Sequence, residues 1–228
     1  MLTFLAILPG VALLIYVYHL DKIEKEPFGL LLKLFIFGCI VVVPVAIVEV
    51  VLINITAALI STNSILYLAI ENFLCVALIE EGFKYLALRL GSWKNKAFNY
   101  RFDGIVYAVC VSMGFAIVEN ILYVRDGGLS TAILRALMSV PGHCIFAVFM
   151  GYYYGLAKLQ SKMGNPAKAG TLFKAILIPT LLHGAYDFMA SCDSSLMSWL
   201  FLAFIVGLEI IAFIRIRKFS KEDMPMPY

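Results

Sequence analysis

Residues 65–88 read ILYLAIENFLCVALIEEGFKYLAL. As a helix these 24 residues would extend about 36 Å, more than the ~30 Å of bilayer hydrocarbon that about 20 apolar residues cross. The run nevertheless carries Glu71, Glu80, Glu81 and Lys84. A length that suits lipid and charges that do not together predict a membrane helix with one face turned to a polar interior. Six further runs have similar length and character: Leu2–Leu20, Gly29–Ile53, Phe102–Val124, Ala132–Leu156, Thr171–Ala190 and Leu196–Ile216. The predicted fold is therefore all-α, a polytopic membrane bundle of about seven helices forming one domain over residues 1–228. Leu2–Leu20 lacks a basic leader and a small-residue cleavage site before Asp21, so it reads as a span and not a signal peptide.

Composition agrees. Of 228 residues, 62% are hydrophobic and 14% charged, against about 45–50% and roughly 25% in soluble domains. The excess fits an outer surface facing lipid. The net charge of +3 is modest, and the basic residues sit at span ends instead of forming a nucleic-acid patch. Fifteen of eighteen Lys and Arg fall in the first, third and fifth connections and the C-terminal tail or in the span ends beside them. That alternation predicts the N-terminus outside and the C-terminus in the cytoplasm. Five cysteines all lie in apolar runs without a CxxC pair, and read as fillers between helices.

Buried ionisable groups narrow the function. Glu80 and Lys84, four apart, share a helix face and can neutralise each other, whereas Glu81 is turned about 100° away and needs a partner elsewhere. Partners are at hand. The fourth run ends in Gly114-Phe115-Ala116-Ile117-Val118-Glu119-Asn120, with Asp103 at its cytoplasmic mouth. The fifth carries Pro141-Gly142-His143, and the sixth His183-Gly184-Ala185-Tyr186-Asp187. Two of the three histidines thus lie mid-span, level with the acid pair, and Glu119 somewhat further out. Gly82, Gly114, Gly142 and Gly184 lie close to these groups in sequence and would let the helices approach. Glu49, Glu71 and Glu209 fall within or near span ends.

In order along the chain, Glu80-Glu81-x-x-Lys84, the stretch from Phe102-Asp103-Gly104 to Gly114-Phe115-x-x-x-Glu119-Asn120, His143, and His183-Gly184-x-x-Asp187 resemble the PrsW family, as do Leu8-Pro9-Gly10 and Glu26-Pro27. The family comprises bacterial intramembrane proteases distantly related to CAAX prenyl proteases and to the scaffold subunit of gamma-secretase. The resemblance implies a multi-pass bacterial cell-membrane protease making the site-1 cut in a single-span anti-sigma factor. Relative to the CAAX pattern, Glu119 stands where histidine is usual, Lys84 stands at a one-shorter spacing where arginine is usual, and His143 comes from the next helix.

Two mechanisms follow. In one, Glu80 or Glu81 is the general base, His143 assists the water or protonates the leaving nitrogen, and His183 with Asp187, or Asn120, aims donors at the oxyanion. Lys84 keeps one carboxylate ionised, and no cofactor is needed. In the other, zinc is bound by ligands drawn from Glu81, Glu119, His143 and His183. No HExxH is present, and the metal-free version is the one we favour. An ion-coupled transporter or a non-catalytic scaffold are the competing functions. A chain of 228 residues without evident inverted repeats argues against the first, and an intact acid pair with both histidines against the second.

Overall fold

The computed structural model describes residues 2–227. The chain forms α1 (Leu2–Leu20), α2 (Phe28–Leu59), α3 (Ile65–Ile70), α4 (Leu78–Ser92), α5 (Asp103–Leu134), α6 (Val140–Lys162), α7 (Lys168–Ser191) and α8 (Ser195–Lys221). Two π-helical segments, Glu71–Ala77 and Arg135–Ser139, join α3 to α4 and α5 to α6 without a break. Helical structure dominates the described residues; the one β-bridge is isolated, between Tyr100 and Pro225. Among the described residues, four helical stretches are long and apolar enough to cross a membrane: Leu2–Leu20, Phe28–Leu59, Asp103–Lys162 and Ser195–Lys221.

The 60-residue stretch holds the two runs expected as fourth and fifth spans. Its backbone breaks at Gly128, where φ is 71° and ψ −154°, a conformation open to glycine and strained for other residues. Beyond it the chain folds back. Gly104 lies against Gly151, Ser112 donates to the His143 carbonyl at 2.9 Å, and Asn120 meets Arg135, so the two arms are antiparallel.

Exposure divides the helices by role. Only 17% of the most apolar window is buried in α1, α2 and α8, against 78% in Asp103–Lys162. A helix that is apolar all round and still exposed is one that lipid solvates. The first arm of α5 is the central post, with Asp103–Ile117 buried on every face. α2 crosses it at backbone contact: a Cβ on Gly38 would lie 1.9 Å from the Val111 carbonyl oxygen, and one on Gly114 2.1 Å from that of Phe35. Of the four glycines expected at close approaches, Gly114 and Gly184 are tightly packed, Gly142 makes ordinary contacts, and Gly82 has none within 4 Å of its Cβ direction.

At the end of the bundle where α1 finishes and α5 begins, the tail after α8 straps the α4–α5 connection. Met226 N donates to the Asn99 carbonyl at 2.7 Å, and Asp223 Oδ1 accepts from Phe102 N at 2.8 Å. Met226 is buried beneath the strap.

Candidate active site

The acid pair enters the bundle on α4 directly after a π-helical turn, and His143 sits near the start of α6 directly after the other. In the second case the cause is local. Pro141 has no N–H to give, and the widened turn before it absorbs the missing helical bond.

Lys84 is the hub. Its ammonium, 1% exposed, donates to Glu80 Oε2 at 2.7 Å and to Glu81 Oε1 at 2.8 Å, and lies 3.2 Å from His143 Nδ1. An ammonium has three hydrogens and no lone pair, so His143 Nδ1 must accept. The proton of a neutral His143 is then on Nε2, which faces Glu119 Oε2 at 2.9 Å. The expectation that Glu81 lacks a local partner is corrected here: residues three apart on a helix also meet, and Lys84 serves both acids.

His183 closes the other side. Its Nδ1 is 3.0 Å from Glu81 Oε1 and 4.0 Å from Glu80 Oε2, while Nε2 is 3.1 Å from Asp187 Oδ2. With ionised carboxylates at both nitrogens, both N–H groups donate, which is the imidazolium form. The spacing of His183 and Asp187 thus gives the pair foreseen in the sequence. The two imidazoles lie edge to face with centroids 5.5 Å apart, and Phe146 stacks on His183 at 4.9 Å.

A cavity of about 650 Å³ opens onto this cluster, its wall formed in part by Glu80, Glu119, His143, His183 and Asp187. Glu81 and Lys84 lie behind that wall. The adjacent acids therefore differ: Glu80 meets the cavity, and Glu81 is held between Lys84 and His183. Among the described residues no donor binds Glu80 Oε1.

Two expected site residues stand elsewhere. Asp103 is buried at the strapped end, where Oδ2 accepts from Asn99 N at 3.0 Å and Tyr100 N at 2.7 Å. Glu119 lies sixteen positions further along the helix, about 24 Å of rise. Asn120 adjoins the site, but its amide is spent on other partners: Nδ2 donates to the Ala6 carbonyl and Oδ1 accepts from Arg135 Nε. Neither side chain is placed to aim a donor at a reacting carbonyl.

The structure also adds two residues to the cavity. Arg135 binds Glu119 Oε2 through Nη2 at 2.7 Å and holds it against His143. Glu49 reaches the same cavity from α2. The Gly127-Gly128 pair was the available signal for Arg135, since a fold-back there sets Arg135 opposite Asn120.

Carboxylates and imidazoles are donor types that suit zinc. Glu80, Glu81 and His143 bring ligand atoms within 4.8 Å of one another. Lys84 Nζ is already bound to one donor atom of each of the three. A divalent ion cannot share that position with an ammonium, so the three atoms that Lys84 binds do not fit a metal as arranged.

A model of the family described as PrsW family intramembrane metalloprotease matches residues 26–214. Among curated proteins, one named Protease PrsW from Oceanobacillus iheyensis is 38% identical, over 96% of this chain and 95% of its own length. Its namesake in Geobacillus kaustophilus is 39% identical over 79% of this chain and 76% of its own. For the Bacillus subtilis Protease PrsW the figures are 34%, 89% and 88%. No solved structure matches the chain.

Proposed function

The chain belongs to the PrsW family of bacterial intramembrane proteases, and on that premise we propose that it hydrolyses a peptide bond with Glu80 as general base and without a metal. The observation that carries the reading is the pairing of Glu80, open to the cavity, with a doubly held His183 whose Nδ1 is 4.0 Å from its carboxylate. Base and acid can thereby flank one substrate peptide group.

Glu80 takes a proton from water as its oxygen adds to the scissile carbonyl carbon. His183 donates to the nitrogen as the C–N bond breaks, leaving a carboxylic acid and an amine. Asp187 is its more open partner, with 24% of its side chain exposed, so Nε2–H is the bond that turns to substrate. Glu81 stays behind to hold the ring. Lys84 Nζ binds Glu80 Oε2 at 2.7 Å, and excluding water around the substrate strengthens that charge pairing. His143, both of whose nitrogens are bonded, is a positioning residue that links Lys84 to the Glu119–Arg135 pair.

We assign seven spans. The four long apolar stretches become five when Asp103–Lys162 is counted as two arms, and Ile65–Ser92 and Lys168–Ser191 add two that carry site residues. With the N-terminus outside, the cavity faces the outer half of the membrane. That suits a first cut in a single-span anti-sigma factor, the substrate class carried over from the sequence resemblance.

Reconstituted in proteoliposomes, the protein should cleave such a substrate, lose that activity as His183→Ala, and keep its rate in chelator. Stoichiometric zinc required for turnover would overturn the metal-free mechanism, and unchanged cleavage by His183→Ala would overturn the site. Reporter fusions after Ser61 and after Lys162 should read opposite sides of the membrane.

A further inference from the structure

The cavity face of α2 is an apolar stripe, Val42, Val45, Ala46 and Ile53, interrupted by one ionisable residue, Glu49. On either side of it, Ile47, Val50 and Val51 are exposed where lipid would lie. An ionised carboxylate at such a place is costly, and it is kept only when a cation binds it; otherwise the group holds a proton. The cations nearest the site, on the cavity wall or behind it, each already bind another acid. Arg135 is bound to Glu119 and Asn120, Lys84 to the acid pair, and His183 to Glu81 and Asp187. Glu49 Oε1 is shielded from solvent and has no hydrogen-bond partner.

The electrostatic balance points the same way. Four carboxylates of the site, Glu80, Glu81, Glu119 and Asp187, already share three cations, Lys84, Arg135 and the His183 imidazolium. Glu49 is a fifth acid, and among the described residues no cation is paired with it. An interior short of positive charge is complementary to a ligand that brings one.

We propose that Glu49 forms a subsite for a basic side chain of the substrate, a lysine or arginine near the scissile bond whose charge meets the unpartnered carboxyl. The assignment rests on the protease reading above and adds a specificity to it. A lysine stem can lie along the apolar stripe while its ammonium meets the carboxylate. The substrate segment so recognised is mainly apolar with a basic residue beside the cleaved bond.

The test separates binding from cleavage. Single-span peptides differing only in Lys, Gln or Glu, scanned through the residues near the cleaved bond, are titrated against Glu80→Gln protein in proteoliposomes and read by fluorescence. At one position the Lys peptide should bind about ten- to a hundredfold more tightly than the Gln peptide, the range of a charge-assisted hydrogen bond. Adding Glu49→Gln should bring that ratio near one, and Glu49→Lys should shift the preference to the Glu peptide. Equal binding of Lys and Gln peptides at every position would overturn the proposal, as would a preference that survives Glu49→Gln. Failure of the protease reading would look different: the Lys preference would be intact, yet protein with Glu80 in place would leave the peptide whole.

Discussion

Two clusters of buried acids lie at different depths in this bundle, and they handle charge in opposite ways. Around Lys84 every carboxylate but Glu49 has a cation or an imidazole within hydrogen-bonding distance, drawn from α4, α6, α7 and the π-helical turn before α6. At the strapped end, Asp21, Glu26 and Asp103 are buried with no ion pair among the described residues. Glu26 is hydrogen-bonded by the Tyr107 hydroxyl, and oxygens of Asp21 and Asp103 are shielded without a partner. Burial pushes the Glu26 carboxyl up to about 7 and that of Asp21 to about 6. One cluster keeps its charges by pairing them, and the other tends to keep its protons. Among the described residues, imidazoles join the carboxylates only in the first, and Glu80, Glu119 and Asp187 there line the cavity of about 650 Å³. A list of buried carboxylates is therefore a poor guide to a reaction centre until their partners are known.

The largest effects should separate the clusters by activity. Glu80→Gln should lower the cleavage rate by about 10²–10⁴-fold, the usual contribution of a general base, with substrate binding retained. Asp103→Asn should leave the rate per folded molecule within about twofold, since its carboxylate holds the loop at Asn99 and Tyr100, roughly 24 Å of helix from Glu119. Kinetics on protein normalised for folded fraction would check both. A comparable loss in Asp103→Asn would mean that the two ends act as one site.

Stability should divide them next. Lys84→Met strands two buried carboxylates and an imidazole acceptor, and breaking a buried pair in this way costs about 3–5 kcal/mol. Adding Glu81→Gln removes one stranded charge and should recover part of the loss. Lys25, the base nearest Asp21, is exposed over the Tyr18 ring, and Lys25→Met should cost no more than about 1 kcal/mol. Denaturation of the purified variants in detergent measures all three. Equal costs for Lys84→Met and Lys25→Met would erase the distinction between paired and proton-holding acids.

How far each cluster could be read in advance follows from the same physics. The helices were legible because lipid imposes length and apolarity on every crossing, and the runs from Leu2–Leu20 onward map onto helices. Glu80, Glu81, His143 and His183 were legible because ionisable groups in such runs have few reasons to be there. Arg135 was not: a cation at a span end reads as a topological anchor, and only the fold-back at Gly128 turns it inward to Glu119. Glu49 was passed over at a span end for the same reason, its cavity-facing direction being set by how α2 crosses α5 at Gly38 and Gly114. Asp103 went astray in the other direction. It shares a motif and a helix with Glu119, and nearness in a motif says nothing of the rise between them.

The smallest expected effect is also the one that tests how the lower cluster keeps its charge in check. The ordinary value for Glu26 is 4.5, and in the folded protein burial raises it to about 7 against the opposing pull of the Tyr107 hydrogen bond. A folded value above the unfolded one means the native state holds the proton more tightly, so the gain is complete below pH 4.5 and fades as pH rises through 7. Between those limits the stability of the wild-type protein in detergent should decline with pH. Glu26→Gln, which cannot ionise and keeps an oxygen for Tyr107, should remove part of that slope and be the more stable form above pH 7. The change should be smaller than the loss of Lys84, because a carboxyl able to take up a proton never leaves a bare charge in the interior. A slope identical in the two proteins would show that Glu26 is already ionised in the fold, and would place an undetected cation among Asp21, Glu26 and Asp103.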